Sequence, residues 1–189
     1  MDILSHGLWA IAVGKGATLE KQATLKAPLL LVWGMFPDLF AFVPGGIYEA
    51  TAHLFGKSGS FVRPEEGAFE AWTPGIHSVM DVTQLLYSFS HSIVIFACVL
   101  MCIYLYTRRI PWVMLGWPLH ILADVPTHTH LFFATPVFFP LFSWTFNGFD
   151  WGNSYFTLYN YIALVLVFTG FFLYTKYVLK RSTKHLFSW

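Results

Sequence analysis

The chain has 189 residues, of which 56% are hydrophobic, 20% aromatic and only 11% charged. That balance excludes an ordinary soluble domain and points to an integral membrane protein, a single membrane-embedded domain over residues 1–189. A net charge of +1 says nothing about nucleic acid, and for a membrane-embedded chain no nucleic-acid partner is expected.

In chain order, the opening Met1-Asp2-Ile3-Leu4-Ser5-His6 lacks the positive n-region of a secretory signal, and the N-terminus is expected to be retained. Residues 4–14 suit a short helix capped by Ser5, about half a bilayer long and therefore a partial or re-entrant element. After a polar stretch, the apolar run 28–43 is interrupted by Pro37-Asp38 and ended by Pro44-Gly45-Gly46. Residues 45–80 hold four of the ten acidic groups (Glu49, Glu65, Glu66 and Glu70) and read as an extramembrane loop with room for a short amphipathic helix. Residues 82–107 form a strong spanning segment; in it Cys98 and Cys102, four apart, stack as small packing residues rather than a disulfide.

Residues 110–125 are apolar apart from His120 and Asp124 and read as a third span, closed by Pro126. The aromatic, turn-rich residues 131–153 suit an interfacial loop, and 155–174 is a last, uninterrupted span. The predicted fold is thus all-α: a polytopic membrane bundle of about four apolar spans plus a short N-terminal partial helix. Nine of the eleven Lys and Arg fall in three groups, Lys15/Lys21/Lys26, Arg108/Arg109 and Lys176/Lys180/Arg181/Lys184. The positive-inside rule places these groups and the C-terminus in the cytoplasm, with 45–80 and 127–154 outside.

Ser5-His6-Gly7, Pro37-Asp38, His91 and His120/Asp124 are polar groups stranded in apolar sequence. An ionisable side chain at bilayer depth is costly unless it pairs, binds a metal or faces water, so each is a functional candidate. Helical rise places His6, Asp38, His120, Asp124 and His91 at about 13, 18, 17, 22 and 24 Å from their nearest basic edges. In a core of roughly 30 Å, with ordinary tilt, all five can meet in its middle-to-outer part. His120 and Asp124 share one helix face. Three imidazoles and two carboxylates suit a divalent transition metal, zinc first and manganese second, with one position open to water.

His77 and Asp81 repeat the four-residue spacing, but a helix continuing to His91 carries them well above it, as a loop-side ion pair or substrate contact. Of His128 and His130, one could complete the site while the other faces water. His53 and His185 are expected to be solvated.

Ser5-His6-Gly7, Gly34-x-x-Pro37-Asp38, Ser90-His91-Ser92 and His120-x-x-x-Asp124-x-Pro126-Thr127-His128, in that order and in a membrane context, resemble the YdjM-like family of LexA-associated, membrane-bound metal-dependent hydrolases. The resemblance spans nearly the whole chain. It implies a helical protein of the bacterial inner membrane in which His6, Asp38, His91, His120 and Asp124 match the presumed metal positions. This chain has Phe40 where members often place a second Asp, and Leu86-Tyr87 where they carry His-Arg, which argues against a full two-metal site. His120-x3-Asp124-x5-His130 is also distantly similar in spacing to the zinc phospholipase C and single-strand nuclease group, although that group's downstream His-x-x-x-Glu/Asp pair is missing.

These residues lead to an expected hydrolase whose metal activates water against a phosphoester, with His6, Asp38, His91 and His120 as ligands and Asp124 as ligand or proton acceptor at the outer, substrate-facing end of its helix. Expected partners are membrane lipids and a lipid or lipid-linked substrate. The alternatives are a metal-ion or proton transporter built on the same cluster, which the small number of spans and lack of an inverted repeat disfavour, and a non-catalytic assembly protein.

Overall fold

The computed structural model describes residues 1–18, 25–56 and 79–179. Among them there are helices and no strand, only one isolated bridge between Thr129 and Phe132. The elements are α1 (Ile3–Thr18), α2 (Ala27–Leu54), α3 (Val79–Ser90), α4 (Ile93–Thr107), a 3-10 turn (Trp112–Leu115), α5 (Gly116–Thr127) and α6 (Ser154–Tyr174), which runs on into a π turn (Thr175–Leu179).

By length and composition α2 and the run Ser154–Leu179 can each cross a membrane, and α3 with α4 form a third crossing if that bent pair is one broken span. The expected four spans are therefore two or three. The difference lies in residues 110–125. Pro111 ends the extended approach, a 3-10 turn follows, and α5 itself has only 12 residues, about 18 Å of helix, too short for a core of roughly 30 Å.

Two other boundaries differ from expectation. α1 begins at Ile3, and Asp2 rather than Ser5 caps it: Asp2 Oδ1 accepts the Ser5 N–H at 3.0 Å and the Tyr161 hydroxyl at 2.8 Å. α2 runs unbroken for 28 residues through Pro37, Pro44, Gly45 and Gly46, so residues 45–54 extend the helix rather than opening a loop. In water Pro-Gly-Gly would end a helix, whereas in lipid every broken backbone hydrogen bond goes unreplaced and continuation is favoured. The remainder of the expected loop, 57–78, lies outside the described residues, as do His77 and His185. His53 is exposed.

The expected span 82–107 is broken where α3 and α4 meet at 61°. Ser92 caps α4, its Oγ accepting the N–H groups of Val94 and Ile95. Cys98 and Cys102 lie on the exposed side of α4, not in packing contact as expected.

α1, α2 and α5 approach so closely that only glycine fits. A Cβ at Gly34 would meet Ala10 Cβ at 2.8 Å and Gly7 Cα at 2.9 Å, and one at Gly116 would meet Gly34 N at 2.7 Å. Lipid supplies no hydrophobic drive between helices, so small residues that let backbones meet are what hold such a junction. Trp117 packs against Trp33, Phe36 and Phe96 on one flank of it, and Tyr87, Phe133 and Phe42 close the other.

Candidate metal centre

Four elements deliver the polar cluster. α5 contributes His120 and Asp124, one turn apart on its buried face, α2 contributes Asp38, and the break between α3 and α4 contributes His91. All four side chains are buried, and one ligand atom from each falls within 4.8 Å of all the others. His120 Nε2 lies 3.0 Å from Asp124 Oδ2 and 3.6 Å from Asp38 Oδ1. His91 Nε2 lies 3.3 Å and 3.5 Å from the same two oxygens. For bonds of about 2.1 Å, the edges of a tetrahedral or octahedral shell are about 3.0–3.4 Å, so the donors are spaced as ligands of one ion are. This buried group could bind a metal ion.

Backbone carbonyls hold both rings with Nε2 turned into the cluster. His120 Nδ1 sits 2.7 Å from the Gly34 carbonyl and His91 Nδ1 3.1 Å from the Tyr87 carbonyl. A carbonyl only accepts, so His120 Nδ1 donates and its Nε2 carries the lone pair of the neutral ring, while His91 Nδ1 also lies 3.0 Å from the Ser90 hydroxyl, which can donate to it. The two Nε2 atoms face each other at 3.0 Å. Asp124 Oδ2, despite two nitrogens within 3.3 Å, makes no hydrogen bond. Two imidazole nitrogens and the oxygens of two carboxylates thus converge on one buried point, an arrangement that a proton or a metal cation between them stabilises. The backbone carbonyls fix the rings from behind, as outer partners of metal-bound histidines do.

His6 is close by but faces a different atom. Its Nε2 lies 2.8 Å from Asp124 Oδ1, and its ring stacks on His120 at 3.7 Å. That separation is short, yet neither ring nitrogen of His6 has hydrogen-bond geometry to any partner; the distance records proximity rather than a bond. Oδ1 is also approached by His128 Nδ1 at 3.4 Å, which is nearer still to the Asp124 carbonyl at 3.2 Å, and by the Met1 amino group at 2.9 Å. Asp124 is therefore the hub of the cluster, fully buried in the last turn of α5. His130 is exposed and pairs with Thr145, and Asp81 lies in the first turn of α3, at the far end of that helix from His91.

Gly34 and Tyr87 do not stand out in the sequence as parts of the centre. Tyr87 is buried, stacks on His91 at 3.7 Å and places its hydroxyl 3.3 Å from Thr135. The signal for both was spacing: Gly34/Asp38 and Tyr87/His91 repeat the four-residue interval of His120/Asp124.

A cavity of about 510 Å³ reaches the centre at Asp38, beside His128, Phe42, Phe132 and Trp151. Residues 126–128 form its rim, held by backbone bonds from Gly148, Phe149 and Trp151. Comparison of the chain with protein-family models, with curated proteins and with solved structures finds no match.

Proposed function

We propose that this protein is a metal-dependent hydrolase of the YdjM-like kind, embedded in the bacterial cytoplasmic membrane and acting on a phosphoester of a lipid or lipid-linked headgroup. The observation that carries the reading is the pair of facing Nε2 atoms on His91 and His120, enclosed by Asp38 and by an Asp124 oxygen with no hydrogen bond. Zinc suits two imidazoles and two carboxylates, and manganese is the second choice. Such an ion supplies a Lewis acid for a phosphoryl oxygen and an acidified water.

The chain's own residues do the rest. The Gly34 carbonyl orients His120, and the Tyr87 carbonyl with the Ser90 hydroxyl orients His91, so that each ring presents Nε2 inward. Asp124 turns Oδ2 to the ligand cluster and Oδ1 toward His6 and His128, so Oδ1 can take a proton released at the centre. The cavity at Asp38 admits a headgroup, while the apolar walls of Phe42 and Phe132 limit water. With the basic groups inside, the C-terminus is cytoplasmic and the site opens toward the outer leaflet.

Elemental analysis of detergent-purified protein should find about one transition metal per chain, lost in a His120→Ala, Asp124→Ala double variant. On panels of phospholipids and lipid-linked phosphates, chelator should abolish turnover and Asp124→Asn should lower it by about 10²–10⁴-fold. Turnover indifferent to both would overturn the mechanism. Metal uptake confined to sealed vesicles, without hydrolysis, would establish the carrier instead.

A further inference from the structure

A second cavity, of about 520 Å³, lies between α1, α5 and α6, with His6 on its lining. Its walls are Trp9, Val13, Leu119, Ala123, Phe156 and Ala163, and no Lys or Arg lines it. α1 and α6 run in the same direction along it, because Trp9 meets Asn160 and, seven residues on, Gly16 meets Phe171. From His6 to Val13 the groove follows α1 for about 10 Å. Val13 is 47% exposed and Tyr159, also on the rim, 65%, so the groove opens sideways to whatever surrounds the apolar face of α6.

His6, Thr127 and Tyr159 also reach the lining, and Asn160 adds a buried amide midway along it. Asn160 is 8% exposed, and its Oδ1 accepts the Trp9 indole N–H at 2.8 Å. That bond fixes which end of the amide is oxygen, because indole only donates. Nδ2 therefore offers its hydrogens at the groove, and it is buried without a hydrogen-bond partner. An unpartnered buried amide is destabilising, a cost removed by an acceptor in the groove. The acceptor is neutral, since the cationic group on the lining, the Met1 ammonium, is already paired with Asp124 at 2.9 Å. Trp9 stands one helical turn from His6, so an acceptor at Asn160 sits close to the centre without touching it.

We propose that this groove binds an acyl chain of a glycerophospholipid, with Asn160 Nδ2 donating to the ester carbonyl and the hydrocarbon lying along Trp9, Val13 and Ala163. The assignment deepens the hydrolase reading by naming the substrate class, and rests on that reading only for the fate of the lipid. A carbonyl held at Asn160 leaves the phosphate, a few bonds away across the glycerol, to pass His6 toward Asp38 and Asp124.

Binding can be measured without turnover. The full chain is reconstituted in bilayers containing phosphatidylglycerol with a diazirine in its acyl chain, irradiated, and the labelled residues mapped by mass spectrometry. Labels should concentrate on α1, α5 and the groove side of α6. Ala163→Trp fills the groove and Val13→Trp, at an exposed position that folding tolerates, blocks its rim. Each should reduce groove labelling at least tenfold while labelling at Met101 and Leu105 on α4 stays constant. Asn160→Leu should lower groove labelling several-fold for the ester lipid and leave a diether analogue, which has no carbonyl, unchanged.

Labelling spread evenly over α4 and α6 and insensitive to both tryptophans would overturn the groove. An equal response of ester and ether probes to Asn160→Leu would overturn the carbonyl assignment. Groove labelling that persists in wild type lacking any hydrolysis would uphold this inference while removing the hydrolase reading, and hydrolysis with unlocalised labelling would do the reverse.

Discussion

The junction of α1, α2 and α5 and the outer pair α4 and α6 are built on opposite rules. α4 and α6 are almost wholly apolar, and only 6% of the spanning window in α6 is buried. The junction is small and polar: Ser5, His6, Gly7, Gly34, Asp38, Gly116, His120 and Asp124 are all buried. Among the described residues, buried polar side chains outnumber buried hydrophobic ones. In lipid an apolar side chain is as comfortable outside as in, so inward position is decided by polarity and by fit. Hydrophobicity therefore marks where this protein meets its surroundings, and polarity marks where it meets itself.

The sharpest way to break that contrast is one substitution made in both places. Gly34→Ala puts a methyl 2.8–2.9 Å from Ala10, Gly7 and the His6 carbonyl, two of them backbone atoms that cannot turn aside. It should destabilise the protein by about 3 kcal/mol, the upper end for overpacking. It also displaces the carbonyl that fixes His120 and should weaken metal affinity about 10–100-fold. Gly170→Ala in α6 meets nothing within 4 Å and should be neutral, or stabilising by up to about 1 kcal/mol through helix propensity. Unfolding in detergent, with metal titration, measures both. Equal effects at the two glycines would mean the junction is not close-packed in the membrane.

Next in size is metal removal. An ion present at about 100 times its dissociation constant stabilises the folded state by about 2.7 kcal/mol, or roughly 5–10 °C for a chain of this size. Chelator should lower the melting temperature of wild type by that amount and leave His120→Ala unmoved. A metal held by this cluster would join α2, α5 and the α3–α4 break, so on its removal exchange protection should fall there and not in α6. A uniform loss over α6 as well would show that the two regions fold as one unit.

How much of this was legible in the sequence follows the same division. α6 was plain, expected at 155–174 and found at Ser154–Tyr174, because an uninterrupted apolar run has one solution in lipid. The extent of α2 was not, because Pro44-Gly45-Gly46 carries its stop signal from water. His120 and Asp124 were legible as a pair from spacing, and the depth argument foresaw that His6, Asp38 and His91 could reach them. Which oxygen of Asp124 each neighbour faces depends on how three helices are rotated, and periodicity does not report that in helices so uniformly apolar. Asn160 shows the same signal as the histidines, a lone polar residue in an apolar run, but an amide neither titrates nor ligates a transition metal strongly and so is overshadowed by His and Asp.

The smallest effect compares two helix caps. Ser92 caps α4 beside His91, and Asn153 caps α6 through the Tyr155 N–H at 2.9 Å, remote from the centre. Replacing either with Ala should cost about 1 kcal/mol, so stability alone does not tell them apart. Metal affinity should. Ser92 also bonds to the Phe139 carbonyl and anchors the turn from which His91 projects, so Ser92→Ala lets that ring drift and should weaken the ion by about tenfold, as loss of an outer partner does. Asn153→Ala should leave it unchanged. Equal weakening in both would mean that affinity merely follows global stability, and no weakening in either would mean that Tyr87 and Ser90 hold His91 without the helix break.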